Sequence, residues 1–150
     1  MRVALGADHA GVRLKDAVRS LLESKAIEVQ DVGTADDASV DYPDYALVVG
    51  RRVASGAADC GILVCGTGLG MAIAANKVDG VRAAAVVDLD AARLAREHND
   101  ANVLALGART TSPELAMQIV HTFLDTPFAG GRHQHRLDKI RAIESGRGRP

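Results

Sequence analysis

The sequence predicts an α/β protein, with one three-layer α/β/α domain over residues 1–150 and a five-stranded parallel sheet. Short apolar or β-branched runs alternate with longer segments of helical period, which is typical of parallel strands joined by crossover helices. The chain has 150 residues, which is the length of one domain. Hydrophobic residues make up 47% and charged residues 25%, as in ordinary globular proteins.

The strands are predicted from five short runs that end at turn residues or at the start of a helical pattern. These runs are 3–7, 27–32, 61–65, 81–87 and 103–106. Five parallel strands with helices between them fit one doubly wound, Rossmann-like sheet.

The helices are predicted from apolar spacing and from residues that begin helices. Leu14, Ala17, Val18 and Leu21 fall at i, i+3, i+4 and i+7, which predicts an amphipathic helix over 12–24. Prolines and capping residues place the others at 43–54, from about 70, at 89–97, at 113–123 and at about 133–144. No strand follows the last helix, so we expect it to pack on a neighbouring subunit and to precede a frayed tail over 145–150.

Composition excludes several classes of function. The formal net charge of −1 predicts no general attraction to nucleic acid or to an acidic membrane surface. The apolar runs are far shorter than the ~20 residues of a membrane span. Cys60 and Cys65 lie too close along one strand to form a disulfide comfortably, and Met1 leads directly into a strand. These features predict a cytoplasmic protein with reduced thiols.

The predicted topology indicates where a ligand binds. In open α/β sheets, ligands bind beyond the carboxyl ends of the strands, where the strand order changes direction. The residues that follow the five predicted strands are Asp8 and His9, Gly33 and Thr34, Gly66 to Gly70, Asp88, and Gly107 to Arg109. We expect the functional side chains among these groups.

The stretch GILVCGTGLGMAIAANK, residues 61–77, has two interpretations. Gly66, Gly68 and the later Asp88 resemble a dinucleotide-binding pattern, but Met71 occupies the place of its third glycine. Alternatively, main-chain amides of 66–70 and the following helix hold a phosphate or a developing oxyanion. Cys65 would then lie beside the reacting carbon as a thiolate, although a small buried cysteine is an equally good interpretation of that residue alone.

Five motifs in order resemble the type B ribose-5-phosphate isomerase family, which also includes allose and galactose phosphate isomerases. They are GADHAG at 6–11, DYPDYA at 41–46, CGTGLGMAIAANK at 65–77, REHNDANVLALGAR at 96–109 and GGRHQHR at 130–136. The resemblance implies an aldose-ketose isomerase that interconverts D-ribose 5-phosphate and D-ribulose 5-phosphate through an enediolate. It implies no cofactor, no metal, and a homodimer, or a tetramer, whose active sites are shared between subunits.

The resemblance also implies roles for individual residues. Cys65 matches the base that moves a proton between carbons 2 and 1, and His98 matches the acid that assists ring opening. Thr67 and Asp8 complete the implied catalytic set. The implied substrate-binding residues are Asp8, His9, Tyr42, Gly66, Thr67, Gly68, Leu69, Gly70, Asn99, Arg109, Arg132, His133 and Arg136. Members that lack the cysteine use a glutamate where this chain has Met71, which places the chain in the cysteine branch.

Each of these residues also has a structural alternative. His98 suits the end of a helix, Asp8 and His9 suit a helix cap, and Tyr42 before Pro43 suits a hydrophobic staple. The histidines lack the H-x-x-x-H spacing of a preformed metal site.

The basic cluster of the last helix points to an anion. On a helical projection, Arg132, His133 and Arg136 share a sector with Ile140 and Ile143. We therefore expect these cations to face packed protein, with a phosphate bound in the partner subunit as their counterion. Six-carbon sugar phosphates, a non-catalytic sugar-phosphate sensor and a nucleotide-binding module remain open as alternatives.

Overall fold

Five parallel strands form one sheet in the computed structural model, which describes residues 1–147. Their order across the sheet is β2-β1-β3-β5-β4. The strands are β1 (Arg2–Ala7), β2 (Glu28–Asp31), β3 (Cys60–Cys65), β4 (Ala83–Ala85) and β5 (Val103–Gly107). All neighbouring pairs are parallel, so the carboxyl ends of the strands share one edge of the sheet, the carboxyl edge, and their starts share the opposite amino edge.

The helices cover both faces of this sheet and give it three layers. They are α1 (Val12–Ser24), α2 (Tyr42–Ala54), α3 (Leu69–Ala75), α4 (Leu89–Asn99), α5 (Pro113–Asp125) and α6 (Arg132–Glu144). The core beneath α1, α4 and α5 contains Leu5, Ile62 and Leu104, whereas the core beneath α2 and α3 contains Leu63 and Val103. No helix within residues 1–147 has the length and apolar character that crossing a bilayer requires.

The alternation of side chains along the central strands explains the two cores. Successive residues of a strand point to opposite faces, so a strand covered on both sides must be apolar throughout. The whole of β5 is buried, as is β3 after Cys60. The predicted α/β architecture and its five-stranded parallel sheet are therefore confirmed.

Strand β4 is shorter than the predicted run over 81–87. Asn side chains replace strand partners at its start, because Asn102 Oδ1 accepts a hydrogen bond from Arg82 N and Asn76 Oδ1 accepts one from Ala83 N. Beyond Ala85 the chain turns toward Asp88, whose carboxylate caps α4 by accepting a hydrogen bond from Ala91 N. The apolar residues at 81, 86 and 87 predicted a longer strand than the three residues that β4, at the edge of the sheet, contains.

Helix α6 packs against the end of α4 in its own chain, where the His133 ring stacks on His98, and its expected packing on a neighbouring subunit stays a prediction. Only His133 and Leu137 are buried on this helix, while Arg132 and Arg136 are exposed. The arginines therefore do not face packed protein within the chain. The start of the predicted tail, 145–147, closes α6 with a turn in which Arg147 N donates to Ala142 O, and residues 148–150 lie outside the described part of the chain.

Candidate active site

The direction of strand order changes between β1 and β3, and this change brings two loops together at the carboxyl edge. From β1 the chain crosses to β2 on one side and then returns past β1 to β3 on the other. Asp8 follows β1, and its backbone N–H donates to Val64 O of β3 at 3.2 Å. The site predicted from the sequence therefore has its first loop, at Asp8, directly beside its second, at residues 66–70.

The Cys65 sulfur lies in the curve of the glycine-rich loop. Cys65 is buried, and its Sγ accepts a hydrogen bond from Gly68 N at 3.1 Å. Gly68 has φ +77°, a left-handed conformation that turns its N–H back toward the sulfur and that side chains other than glycine rarely adopt. The Gly68 N–H and the adjacent start of α3 both direct positive partial charge toward this sulfur.

The β5–α5 loop supports the glycine-rich loop from the other side. Gly66 O accepts from Arg109 N at 2.9 Å, and Cys65 O accepts from Ala108 N at 2.8 Å. A Cβ added at Gly107 would lie only 2.7 Å from the carbonyl carbon of Thr67. No role was predicted for Gly107 from the sequence. The lack of a side chain at this position allows the β5–α5 loop and the glycine-rich loop to come into contact.

Of the other predicted residues, Tyr42 and Arg109 lie beside this loop and Thr67 belongs to it. The Tyr42 ring lies against Gly70, because a Cβ at Gly70 would be 2.7 Å from Tyr42 Cζ. The Arg109 guanidinium lies beside Gly66, where a Cβ would be 3.1 Å from Nη1. Thr67 is exposed above the loop, and its Oγ1 accepts a long hydrogen bond of 3.4 Å from Leu69 N.

Asp8 caps the short turn before α1 rather than α1 itself, His9 caps no helix, and both residues lie beside the glycine-rich loop's strand. One Asp8 carboxylate oxygen, Oδ1, caps the turn His9–Gly11 by accepting hydrogen bonds from Ala10 N and Gly11 N. The His9 ring accepts a hydrogen bond through Nδ1 from Val40 N at 3.2 Å. Capping uses only Oδ1, which leaves Asp8 Oδ2 for another partner.

The remaining predicted residues lie at the amino edge. Helix α4 begins at the carboxyl edge, after β4, and ends where β5 begins, so His98 and Asn99 in its last turn lie at the opposite end of the sheet. Arg82 Nε, just before β4, donates to Asn99 O at 3.0 Å. The His98 and His133 rings stack with centroids 4.2 Å apart. The amino-edge group therefore consists of His98, Asn99, Arg132, His133 and Arg136.

The length of the sheet separates these two groups within one chain. The five residue steps from Cys60 to Cys65 span roughly 16 Å at about 3.3 Å per residue. A histidine side chain is much shorter than that span. His98 therefore cannot act at Cys65 of its own chain.

The pKa values of His133 and Cys60, both at the amino edge, are shifted. Burial lowers the pKa of His133 below 6.5, and His98, Arg132 and Arg136 lower it further because they are positive or become positive on protonation. Burial raises the pKa of the Cys60 thiol to about 11. Cys60 thus remains a neutral thiol near neutral pH.

The place of the third dinucleotide glycine is filled by a core residue. Met71 is fully buried beneath α3 together with Leu63 and Val103. A nucleotide pattern uses a glycine there to bring helix and strand close together. In this chain the large apolar side chain of Met71 provides the contact between helix α3 and the sheet instead.

Comparison with known proteins identifies the family. The sequence model of the Ribose/Galactose Isomerase family matches residues 3–140. The chain belongs to this family. Ribose-5-phosphate isomerase B of Escherichia coli (strain K12) is 47% identical over 146 residues, which cover 97% of this chain and 98% of that protein.

Solved structures of the Ribose/Galactose Isomerase family have the same fold. Ribose-5-phosphate isomerase B of Clostridium thermocellum superposes with a TM-score of 0.96 at 50% identity, covering 97% of this chain and 99% of that one. Ribose-5-phosphate isomerase B of Mycoplasma genitalium with bound ribulose-5-phosphate gives a TM-score of 0.93 at 44% identity, covering 97% of each chain. The resemblance indicated by the five motifs is confirmed.

Proposed function

We propose that this chain is an aldose-ketose isomerase that interconverts D-ribose 5-phosphate and D-ribulose 5-phosphate. The observation that carries the proposal is the Cys65 sulfur, held at 3.1 Å from Gly68 N within the glycine-rich loop at the carboxyl edge. Membership of the Ribose/Galactose Isomerase family supports the reaction class, and the ribulose-5-phosphate bound to the Mycoplasma genitalium protein supports the five-carbon substrate.

Cys65 is the base in this proposal. As a thiolate it removes the proton from carbon 2 of the open aldose, and the electron pair of that C–H bond moves to form a cis-enediolate with negative charge on oxygen 1. The hydroxyl proton of oxygen 2 moves to oxygen 1, and the same thiol returns the carbon-bound proton to carbon 1, which leaves the carbonyl at carbon 2 and a hydroxyl at carbon 1. One base on one face of the enediolate performs both transfers.

The glycine-rich loop stabilises the enediolate. Its backbone amides are fixed before the substrate binds, so they need little reorganisation as charge develops on oxygen. The exposed Thr67 hydroxyl can donate to one enediolate oxygen and accept from the other. Asp8 and Tyr42 lie beside the loop, where they can bind the hydroxyls of the sugar.

A homodimer supplies the residues that one chain cannot bring to Cys65. His98, the proposed acid for ring opening, lies at the amino edge, and so do Asn99, Arg132, His133 and Arg136. A second chain in antiparallel orientation can place its amino-edge group over the carboxyl edge of the first. Two equivalent sites result, each with Cys65 from one chain and His98 from the other. Arg132 and Arg136 of that second chain would bind the phosphate, which explains why both are exposed in a single chain.

The exposed apolar residues of α3 support the same assembly. Leu69 and Ile73 lie one turn apart on α3 and are 60% and 65% exposed. They adjoin the glycine-rich loop, so a partner that covers them also covers the site. Burial of each side chain in such an interface contributes roughly 1.5 kcal/mol or more.

We also propose that the protein works in the cytoplasm. Cys60 and Cys65 are both free thiols, and they lie at opposite ends of one strand. A thiolate base requires a reduced cysteine, and the cytoplasm keeps thiols reduced.

A coupled assay tests the function and its alternatives. Ribose 5-phosphate, allose 6-phosphate and galactose 6-phosphate are compared as substrates, and exchange of the carbon 2 proton with solvent is followed by NMR. We expect turnover and exchange with ribose 5-phosphate. Preferred turnover of a six-carbon substrate would reassign the specificity, and binding without exchange would identify a sensor. A thermal shift with NAD but no sugar phosphate would favour the nucleotide-binding module.

A further inference from the structure

Asp100 caps the carboxyl end of α4, directly after His98 and Asn99. Its φ of +42° and ψ of +45° are left-handed, a conformation in which glycine is the usual residue at a helix end. Its carboxylate also lies at the negative end of the helix dipole, where cations are favoured. Neither the backbone nor the helix dipole therefore accounts for an aspartate at this position.

Two arginines divide the carboxylate of Asp100 between them. Arg82 Nη2 donates to Oδ2 at 3.0 Å, and Arg96 Nη1 donates to Oδ1 at 2.8 Å. The Arg82 side chain also donates to the carbonyl oxygens of Asn99 and Asp100 at 2.7–3.0 Å. Such carbonyls are among those that a helix end leaves without partners. All three charged side chains are partly buried, so salt screens these ion pairs less than pairs on an open surface.

Arg96 also connects the end of α4 to the segment that leads into α6. Its Nε donates to Thr126 O, just after α5, at 3.3 Å. The guanidinium lies over the Phe123 ring, with its central carbon 5.5 Å from the ring centroid, and this contact helps to hold its plane. The rings of His98 on α4 and His133 on α6 stack on each other. The two elements that carry these stacked rings therefore share Arg96 as a common anchor.

Resting on the proposed function, we infer that Asp100, held by Arg82 and Arg96, is a positioning residue that fixes His98 for ring opening at the shared site. His98 acts across the interface of the proposed dimer, so the direction of its ring depends on how the last turn of α4 is held. An acid transfers its proton efficiently only within hydrogen-bond distance of the sugar's ring oxygen. Misplacement of a reacting group by about 1 Å can lower a rate about 100-fold. The five motifs implied no role for Asp100 or for either arginine.

The test compares two substitutions of Asp100 with a matched control on the same helix. Asp100→Gly removes the carboxylate but keeps the left-handed backbone, whereas Asp100→Asn keeps one acceptor without the charge. Asp90→Ala is the control, because Asp90 is an exposed carboxylate in the first turn of α4 that pairs with Arg93. Asp100→Gly should lower kcat for ribose 5-phosphate about 10- to 100-fold, with a smaller change in KM. Asp100→Asn should have an intermediate kcat, and Asp90→Ala should keep the wild-type value.

Hydrogen exchange in ribulose 5-phosphate separates the positioning of His98 from general damage to the fold. This ketose cannot close a five-membered ring, because its oxygen 5 carries the phosphate. Exchange of a hydrogen at its carbon 1 with deuterated water therefore requires Cys65 but no acid for ring opening. We expect Asp100→Gly to keep near-wild-type exchange while it loses turnover of ribose 5-phosphate, and His98→Gln to behave in the same way. Equal losses of exchange and turnover in Asp100→Gly would overturn the inference, and so would a wild-type kcat.

An NMR measurement distinguishes failure of this inference from failure of the proposed function. The imidazole signals of His98 are assigned by their absence in His98→Gln, and their chemical shifts report its stacking on His133. In Asp100→Gly these signals should move toward their positions in His133→Gln, where the stack is lost, and in Asp90→Ala they should not move. If the wild type shows no isomerase turnover, the proposed function fails, but displaced His98 signals in Asp100→Gly still support the positioning role. Unmoved signals in Asp100→Gly refute that role whatever the turnover.

Discussion

Replacement of Gly68 by alanine should damage stability and catalysis together. Gly68 has φ +77°, and a Cβ there would lie 3.0 Å from the carbonyl carbon of Leu106 and 3.2 Å from Ala105 O. The left-handed conformation alone costs about 1–2 kcal/mol for a residue with a side chain. The contact with β5 adds about 1–3 kcal/mol, because a central strand cannot move away.

The same substitution moves the amide that contacts the proposed base. Relief of the contact with β5 shifts Gly68 N away from Cys65 Sγ and disturbs the neighbouring amides. We expect kcat to fall about 100- to 1,000-fold, as when an oxyanion donor is lost.

Gly56→Ala is the matched control for these effects. Gly56 has φ +74°, and a Cβ there would have open space around it. This variant should lose only the stability cost of the left-handed conformation and keep its turnover. Urea unfolding gives the stability, and the coupled isomerase assay gives kcat and KM. If Gly68→Ala matched Gly56→Ala in both measurements, the proposed role of the loop would be wrong.

Three further substitutions follow from the site. Cys65→Ser should lower kcat about 10²- to 10⁴-fold with little change in KM. Cys60→Ala should keep near-full turnover, because the raised pKa of Cys60 leaves that residue a neutral thiol in the wild type. Equal losses of kcat in the two variants would refute the assignment of Cys65 as the base. Arg136→Ala should raise KM about tenfold while Arg141→Ala, on the same helix, does not, as steady-state kinetics will show. The pKa of His133 is lower in the folded chain than in the unfolded chain, where it is about 6.5, so protonation below that pH favours unfolding. The unfolding temperature should therefore fall as the pH drops below about 6.5. His133→Gln should flatten this dependence and His135→Gln should not; an unchanged slope in His133→Gln would contradict the assignment.

The central strands and the first loop could be predicted from the sequence because their causes are local. A continuous apolar run predicts β3, and the predicted bounds of α1, 12–24, agree with the structure because its apolar spacing is regular. The carboxyl-edge group followed from strand order, since each strand of a parallel sheet ends at the same edge. The positions of Cys65 and Gly68 could therefore be predicted from these local patterns and the strand order alone.

The amino-edge group could not be placed by pattern because it depends on how α6 folds back. A helical projection grouped Arg132, His133 and Arg136 with Ile140 and Ile143, but it could not show that His133 and Leu137 alone are buried on this helix. The stacking of His98 on His133 joins residues 35 positions apart, and the sequence gives no spacing rule for such a contact.

Complementation between two inactive variants tests the shared site most directly. Cys65→Ala and His98→Gln chains, carrying different affinity tags, are coexpressed and the mixed dimer is purified. In a shared site, one of its two sites has both residues intact, so the mixed dimer should show about half the wild-type turnover while each parent dimer shows almost none. A dimer of a wild-type chain with a Cys65→Ala/His98→Gln chain should be inactive, because each of its sites lacks one residue. The reverse result, an inactive first dimer and a half-active second one, would show that each chain uses its own His98 and would contradict the account.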